Sequence, residues 1–412
     1  PYRRQRQMCI RDSPYAIGRM YQIAESNDGA LFYSDYQEIR QGKKIHHPTL
    51  EYQTGSIRND FDFGQLLLFR NDSFQQVVAQ MNTDYRFAAL YELRLSISRL
   101  GKIVHIPETL YTVQPTDLRL SGEKQFDYVD PANREVQLEM EAVCTAHLQA
   151  IGAWLAPEFQ RIDFGQENFA REASVIIPVR NRKRTIAEAV ESALQQQTDF
   201  SFNVIVVDNH STDGTGQILT ELSRRYPNLI HHIPASTELG IGGCWTEAIL
   251  LPECGKFAIQ LDSDDLYKDC HVLQRIVDTF YQENCAMVIG SYQMVDFKLE
   301  EIPPGLIAHR EWTPDKGRNN ALRINGLGAP RAFYTPVLRQ IKFPNVSYGE
   351  DYATALAISR KYPIARIYDP LYLCRRWEEN SDHDLDIQQL NNYNFYKDKI
   401  RTLEIQARIS GK

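Results

Sequence analysis

ASVIIPV, at residues 173–179, is a continuous run of apolar and β-branched residues, the pattern of a strand buried in a parallel sheet. FNVIVVD (202–208) and KFAIQLD (256–262) repeat the pattern, and stretches with helical character, 185–196 and 216–226, lie between the runs. The alternation predicts an α/β fold with a doubly wound mixed sheet. In such sheets ligands bind at the carboxyl ends of the strands, so the residues that follow each run are candidates for function.

The composition is that of an ordered globular protein, because the 412 residues are 43% hydrophobic, 24% charged and 11% aromatic. The net charge of −7 argues against bulk attraction to nucleic acid or to anionic lipid. No apolar run approaches the ~20 residues that a membrane span needs. The seven cysteines are scattered and form no CxxC pair, which indicates a reducing compartment, so we expect the protein to be cytoplasmic.

An internal repeat predicts two copies of one domain. ALFYSDYQ (30–37) is similar to AMVIGSYQ (286–293), and ISRLGKIVHIPETLY (97–111) is similar to ISRKYPIARIYDPLY (358–372). The two matches occur in the same order, so we interpret the chain as a tandem arrangement.

These matches set the predicted boundaries. Residues 14–128 are expected to form the C-terminal part of an incomplete first copy, and 173–412 a complete second copy. Residues 129–172 are expected to be a helical linker, because an apolar stripe follows one helical face over 134–156. Residues 1–13, PYRRQRQMCIRDS, resemble translated sequencing-adapter sequence and are expected to lie outside the fold, with a basic N-terminal arm as the alternative.

Acidic residues follow the second and third runs. Asp208 ends the second, where its carboxylate can accept a hydrogen bond from a nucleobase or a ribose. QLDSDD (260–265) places Asp262, Asp264 and Asp265 at the end of the third, and carboxylates this close repel one another unless a cation is bound. A hard divalent ion such as Mg²⁺ or Mn²⁺ takes oxygen ligands and bridges to phosphates. A solvated acidic turn is the alternative.

A further carboxylate pair, Glu350 and Asp351, lies in YGEDY (348–352), just before a predicted helix. Carboxylates at a helix N-terminus can simply complement the helix dipole. One of them can also act as a general base whose pKa is tuned by the other. The sequence therefore offers two separated acidic sites, one suited to a metal and one to a proton.

Four motifs in this order, VIIPVRN (175–181), VVDNHSTDGT (206–215), QLDSDD (260–265) and GEDY (349–352), resemble the family 2 glycosyltransferases, which have the GT-A fold. The resemblance covers essentially all of the second copy. It implies an inverting, hexosyltransferase-type enzyme of glycan biosynthesis that uses a nucleotide-sugar donor, with UDP-sugar expected. It further implies a glycan, lipid-linked or other hydroxyl acceptor, and Mn²⁺ or Mg²⁺ as cofactor.

The resemblance assigns donor-side roles to four residues of the second copy. Pro178 and Asn181 would shape the nucleotide end of the first strand. Asp208 would contact uracil or ribose, and Asp262 would contact the ribose.

The resemblance also assigns the metal and the base. Asp264, with Asp265, would hold the metal on the diphosphate. Asp351 would deprotonate the acceptor hydroxyl, with Glu350 beside it. Arg331, in the acceptor-side region, is a candidate for pairing with a phosphate, with a surface arginine as the alternative.

The segment LCRRWEENSDH (373–383) departs from the family, in which many members have a histidine that completes the metal site. Glu378 occupies the histidine position when counted from Arg376, and its carboxylate could still bind a hard metal. Alternatively, Arg375 or Arg376 steadies the diphosphate. Trp377 is a candidate for stacking on a sugar, with a core or interface tryptophan as the alternative.

Two functional classes stay open: an inverting glycosyltransferase, and a non-catalytic scaffold of the same fold that binds sugar nucleotides or glycans. The acidic sites of the second copy favour the enzyme. The first copy has Ala89 and Leu90 where the second has Glu350 and Asp351, so we expect one catalytic centre per chain. A second centre that uses Glu92 is the competing account. Peripheral membrane association is left open.

Overall fold

The structure is a computed structural model, and it describes residues 9–12, 15–40, 42–82, 84–114, 133–165, 167–310, 312–377, 380 and 385–411. The chain forms two compact units. The first comprises Pro1–Trp154, Leu322–Asn325 and Asp384–Lys412, and the second comprises Leu155–Ala321 and Gly326–His383.

The first unit is built on two long parallel strands. Its elements up to Trp154 are β1 (Cys9–Asp12), α1 (Ala16–Glu25), β2 (Gly29–Arg40), β3 (Lys43–His47), β4 (Leu68–Phe69), α2 (Asn71–Val78), α3 (Ala89–Leu100), β5 (Lys102–Gln114) and α4 (Arg134–Ala150). Strands β2 and β5 are parallel, with Tyr36 opposite Tyr111. Strand β1 is antiparallel to β5, and β3 and β4 are antiparallel to β2.

Both faces of β2 are buried, which explains its apolar run at 30–33. Leu31 and Tyr33 belong to one core cluster, and Phe32 belongs to another, which includes residues of α1. A strand that is buried on both faces requires helices or loops on each side of the sheet.

Two expectations for this part of the chain are corrected. Residues 9–12, which the adapter interpretation placed outside the fold, form β1, because the free edge of β5 offers them a hydrogen-bonding partner. The helix predicted over 134–156 ends at Ala150, where Gly152 takes a left-handed backbone with φ of 72°.

The second unit contains a nine-stranded mixed sheet. Its elements are β6 (Ala173–Val179), α5 (Ile186–Leu194), β7 (Phe202–Asp208), α6 (Thr215–Arg225), β8 (Leu229–His232), α7 (Ile241–Leu250), β9 (Phe257–Gln260), β10 (Leu266–Tyr267), α8 (Val272–Glu283), β11 (Met287–Val295), β12 (Glu301–Ile307), α9 (Gly317–Asn320), β13 (Arg331–Tyr334), α10 (Thr335–Ile341), α11 (Glu350–Ser359) and β14 (Ile364–Arg375). The strand order is β10-β14-β11-β13-β9-β6-β7-β8, and β12 pairs with β11.

The three predicted apolar runs form the central parallel strands of this sheet. β6 pairs in parallel with both β7 and β9, and β8 extends the parallel part beyond β7. Strand β13 is antiparallel and lies between β9 and β11, and β14 is parallel to β11. The mixed α/β architecture expected from the sequence is therefore present in this unit.

The last helix, α12 (Ile387–Ile409), belongs to the first unit, whereas the sequence-based division placed it with the second copy. Asp398 Oδ1 accepts a hydrogen bond from Arg58 Nε at 3.3 Å, and Thr402 Oγ1 accepts one from the Gly55 N–H at 2.9 Å. The backbone of Gly55 lies so close to α12 that a Cβ there would overlap the Asp398 carbonyl oxygen. In the part of the chain that the structure describes, no helix combines the length and apolar character of a membrane span.

Candidate active site

The loops after β6 and β7 form one edge of the candidate site. Because the two strands are parallel neighbours, Val179 lies opposite Asp208 and Pro178 opposite Val207. Asn181 joins the loops: its N–H donates to Ser211 Oγ at 2.9 Å, and its Oδ1 accepts from the Thr212 N–H at 2.8 Å. The left-handed backbone of Asn181, with φ of 54°, is one that asparagine tolerates better than most residues.

Asp208 is buried at the end of β7 and has two partners. Its Oδ1 accepts the Ser211 N–H at 2.9 Å, and its Oδ2 lies 3.4 Å from His231 Nε2. Burial acts to raise the pKa of Asp208, but the contacts with His231 and Ser211 outweigh it, so this pKa lies below its usual value. His231 lies in no motif that marks it as a site residue, and only the parallel pairing of β8 with β7, which sets Val206 opposite His231, brings it to Asp208.

A cationic cavity of about 400 Å³ opens beside this edge. It is lined by Asn181, Arg182, Lys183, Arg184, Asp213 and Trp377. Three consecutive cations in a concave surface suit a diphosphate, because phosphate oxygens carry the charge that guanidinium and ammonium groups bind best. These three residues were not among the predicted site residues, although RKR (182–184) directly follows Asn181.

Trp377 lies in this site and contacts the loop that follows β9. We call this loop, residues 262–265, the acidic loop. The indole Nε1 of Trp377 donates to Asp264 Oδ2 at 3.1 Å, and Asn380 Nδ2 approaches the same oxygen at 3.5 Å. The guanidinium groups of Arg182 and Arg184 lie 5.6 and 5.4 Å from its ring centroid. Trp377 is therefore half-buried and lines the cavity, and stacking on a sugar stays a prediction.

The other two aspartates of the acidic loop are held by the second half of β14. The Asp262 N–H donates to the Tyr372 hydroxyl at 2.8 Å, and Asp265 Oδ1 accepts from the Arg375 N–H at 2.8 Å. Burial raises the pKa of Asp262, and burial together with the charges of Asp264 and Asp262 raises the pKa of Asp265 well above its usual value. Burial and mutual repulsion therefore disfavour the ionised forms of these two carboxyl groups.

The two consecutive arginines of this segment have different surroundings. Arg375 is buried, its Nε donates to the Asp264 carbonyl oxygen, and its guanidinium pairs with Glu188. The Arg376 N–H donates to the Val295 carbonyl oxygen at 2.9 Å. Arg375 thus fixes the backbone of the acidic loop rather than reaching a ligand directly.

The metal prediction rests on Asp264, Asp265 and Glu378, of which Glu378 lies outside the described residues. Among the described residues, no three histidine, cysteine, aspartate or glutamate side chains are arranged to hold a metal ion. The carboxylate oxygens of Asp264 and Asp265 are nevertheless hard ligands, which fit a cation that takes its remaining ligands from phosphate oxygens.

The carboxylate pair starts α11, after Gly349, whose φ is 81°. Asp351 Oδ2 lies 2.6 Å from Arg331 NH1, so the structure pairs Arg331 with a carboxylate rather than leaving it for a phosphate. Glu350 is buried, and its Oε2 has no hydrogen-bond partner among the described residues. Burial raises the pKa of Glu350 to about 8, and the charge of Asp351 acts in the same direction.

Comparisons with known proteins show which enzymes this chain is similar to. Residues 174–337 match the family model described as Glycosyl transferase family 2. An uncharacterized glycosyltransferase of Nostoc sp. is 32% identical over 123 residues, which are 30% of this chain and 37% of that protein. Poly(ribitol-phosphate) beta-glucosyltransferase of Bacillus spizizenii is 24% identical over 230 residues, which are 54% of this chain and 35% of that protein. The chain thus spans little more than a third of the length of these two relatives.

Among solved structures, S. aureus TarS 1-349 in complex with UDP-GlcNAc aligns with 57% of this chain and 72% of its own, at a TM-score of 0.44 and 21% identity. The match to the family model is more informative than this structural similarity, because the model spans the strands β6, β7 and β9 and the acidic loop. The family match and the glycosyltransferase relatives together support an enzyme of the glycosyltransferase family 2 type.

Proposed function

We propose that the second unit moves a sugar from a UDP-sugar to a hydroxyl acceptor and inverts the configuration at the anomeric carbon. The observation that carries the proposal is the presence of two chemically different sites in this unit. One is the cationic cavity beside Asp264. The other is the carboxylate pair at the start of α11.

The nucleotide end of the donor is assigned to the loops after β6 and β7. Pro178 and Asn181 shape the first loop, and Asp208 accepts a hydrogen bond from the uracil or ribose. Asp262 is assigned to the ribose as well. The buried, ionised state of Asp208 supports a role as acceptor, because an ionised carboxylate accepts hydrogen bonds more strongly than a neutral group.

The diphosphate and the sugar are assigned to the cavity. Arg182, Lys183 and Arg184 bind the diphosphate oxygens, together with Arg376. Trp377 stacks on the sugar. When bound, a Mn²⁺ or Mg²⁺ ion held by the carboxylates of the acidic loop neutralises charge on the diphosphate. The residues proposed to hold it are Asp264, Asp265 and Glu378.

The reaction is a single in-line displacement. An acceptor oxygen forms a bond to the anomeric carbon while the bond from that carbon to the diphosphate oxygen breaks, and its electron pair stays on the nucleotide diphosphate. Asp351 takes the acceptor proton, with Glu350 beside it. The cations of the cavity stabilise the charge that develops on the leaving group.

The acceptor is proposed to be a glycan or a polyol, free or lipid-linked. The name of the B. spizizenii relative, poly(ribitol-phosphate) beta-glucosyltransferase, supports polyol-phosphate chains as the first acceptors to test. We propose a cytoplasmic site of action, with peripheral membrane association where the acceptor is lipid-linked.

The first unit is proposed to be part of a related copy. Its sequence of elements from β1 to β5 follows that of β10 to β14, apart from the short α9, and Tyr36 pairs with Tyr111 as Tyr292 pairs with Tyr372. Helix α3 starts with Ala89, where α11 starts with Glu350. This correspondence supports one catalytic centre per chain.

The experiment is a donor screen on the full chain. Nucleotide sugars with Mn²⁺ and polyol-phosphate or glycan acceptors are scored for nucleotide diphosphate release, and the anomeric configuration of the product is read by NMR. Asp351→Asn should lower turnover by about 10²–10⁴-fold, the usual loss on removing a general base. Asp72→Asn, an exposed aspartate in the first turn of α2, is the matched control. Binding of UDP-sugars with no turnover on any acceptor would instead indicate a scaffold.

A further inference from the structure

Arg331, on β13, is the charged residue that links the two carboxylate sites of the second unit. Its NH1 lies 2.6 Å from Asp351 Oδ2 and donates to the Gly328 carbonyl oxygen at 3.0 Å. Its N–H donates to Gln260 Oε1 at 3.1 Å, which ties it to the strand that leads into the acidic loop. Both side chains of the ion pair are mostly shielded, with 19% of Arg331 and 24% of Asp351 exposed, so solvent screens the pair only partly.

Three carboxylates act on this guanidinium. Burial acts to lower the pKa of Arg331, but the charges of Asp351, Asp262 and Glu350 outweigh it and raise that pKa. Tyr372, on β14, raises the pKa of Arg331 in the same direction. Without Arg331, the carboxylates would repel one another in a poorly hydrated site, and the first response of such a cluster is to take up protons.

We propose that Arg331 is a positioning residue for the acceptor-side base: its guanidinium keeps Asp351 ionised and holds Oδ2, so that Asp351 can accept a proton from the acceptor hydroxyl. This inference rests on the proposed function. It adds a specific requirement, because transfer then depends on an arginine that contacts neither the donor nor the acceptor.

The first unit provides an internal comparison. Strand β4 pairs with β2 as β13 pairs with β11: Leu68 lies opposite Phe32, and Ala332 lies opposite Val288. The residue before Leu68 is Leu67, at the position that Arg331 holds before Ala332.

The carboxylates change together with the arginine. Helix α3 opens with Ala89 and Leu90, where α11 opens with Glu350 and Asp351. A purely structural arginine would be expected to persist or to change independently of these positions. The joint replacement by apolar residues is what we expect if the arginine and the carboxylates serve the same function.

The test uses Arg331→Gln and Arg331→Lys in the full chain. Arg331→Gln should lower kcat by about 10- to 100-fold, the factor that corresponds to loss of a hydrogen bond between charged groups. The acid limb of the kcat profile should move to higher pH by about one unit, because the base loses the cation that favours its ionised form. KM for the donor should stay unchanged, and Arg331→Lys should return the acid limb toward its original position.

A second measurement does not need activity. ¹³C NMR of the carboxyl carbons, with the Asp351 signal identified by its loss in Asp351→Asn, should show Asp351 titrating at higher pH in Arg331→Gln than in the natural sequence. An unmoved titration, or an equal loss of kcat at every pH that Arg331→Lys does not reverse, would overturn the inference. Full turnover in Asp351→Asn would instead refute the base assigned under the proposed function.

Discussion

Replacement of His231 by leucine tests the Asp208 site directly. Asp208 and His231 are almost completely enclosed, with 3% and 10% of their side chains exposed, and their closest atoms are 3.4 Å apart. The leucine leaves Asp208 with the Ser211 N–H as its described partner. Loss of a hydrogen bond to a charged group costs about 1.5–3 kcal/mol, and more when the group stays buried. We therefore expect His231→Leu to lower the free energy of unfolding by about 2 kcal/mol and to weaken UDP binding more than tenfold.

The neighbouring residue is the matched control. His232 lies 3.4 Å from Glu247, but 25% of His232 and 42% of Glu247 are exposed, so that pair is screened by solvent. His232→Leu should change the free energy of unfolding by less than about 0.5 kcal/mol and leave UDP affinity unchanged. Urea unfolding at pH 7 and titration calorimetry with UDP measure both quantities. Equal effects of the two substitutions would refute the argument from burial.

The pH dependence of this effect has a definite sign. The pKa of Asp208 is lowered in the folded state, where contacts with His231 and Ser211 outweigh burial. Its contribution to stability is therefore complete above the pKa of an unfolded aspartate, about 3.9, and is lost as the pH falls through the folded-state pKa. The difference in stability between the natural sequence and His231→Leu should shrink below about pH 4.

Three further predictions concern the remaining features. Asp264→Asn should remove the Mn²⁺-dependent part of UDP binding, and unchanged calorimetric affinity with Mn²⁺ would contradict the metal assignment. Burial raises the pKa of Glu350 to about 8 in the folded state. The contribution of the neutral Glu350 to stability is therefore lost as the pH rises from the pKa of an unfolded glutamate towards about 8. Glu350→Gln should thus be more stable than the natural sequence by about 1 kcal/mol or more at pH 8, and no more stable at pH 4. Gly55→Ala should destabilise the first unit by about 1–3 kcal/mol in thermal unfolding, because the added Cβ meets the Asp398 carbonyl, whereas Gly18→Ala, with open space around it, should not.

The central strands and the acidic residues that end them could be predicted from the sequence. Continuous apolar runs need burial on both faces, and only a parallel arrangement brings their carboxyl ends to one edge. A helix after Glu350 and Asp351 was likewise expected, but α11 starts two residues earlier than predicted, so both carboxylates lie in its first turn.

The partners of these residues could not be predicted, because they depend on register and on strand order. His231 reaches Asp208 only because β8 pairs with β7 in parallel at that register. Arg331 reaches Asp351 because β13 enters the sheet as an antiparallel strand between β9 and β11. Neither pairing leaves a periodic signal in the sequence.

The position of α12 in the first unit has a consequence for biosynthesis. The groups that bind it, the Gly55 N–H and Arg58, are made early, whereas Thr402 and Asp398 leave the ribosome after the whole second unit. Chains grow at about 5–20 residues per second and domains generally fold in the order of synthesis. The first unit of this protein must instead wait, with the buried Arg58 lacking its helix, until the second unit and α12 have been made. Of the two units, the one whose synthesis starts first is therefore the second to be completed.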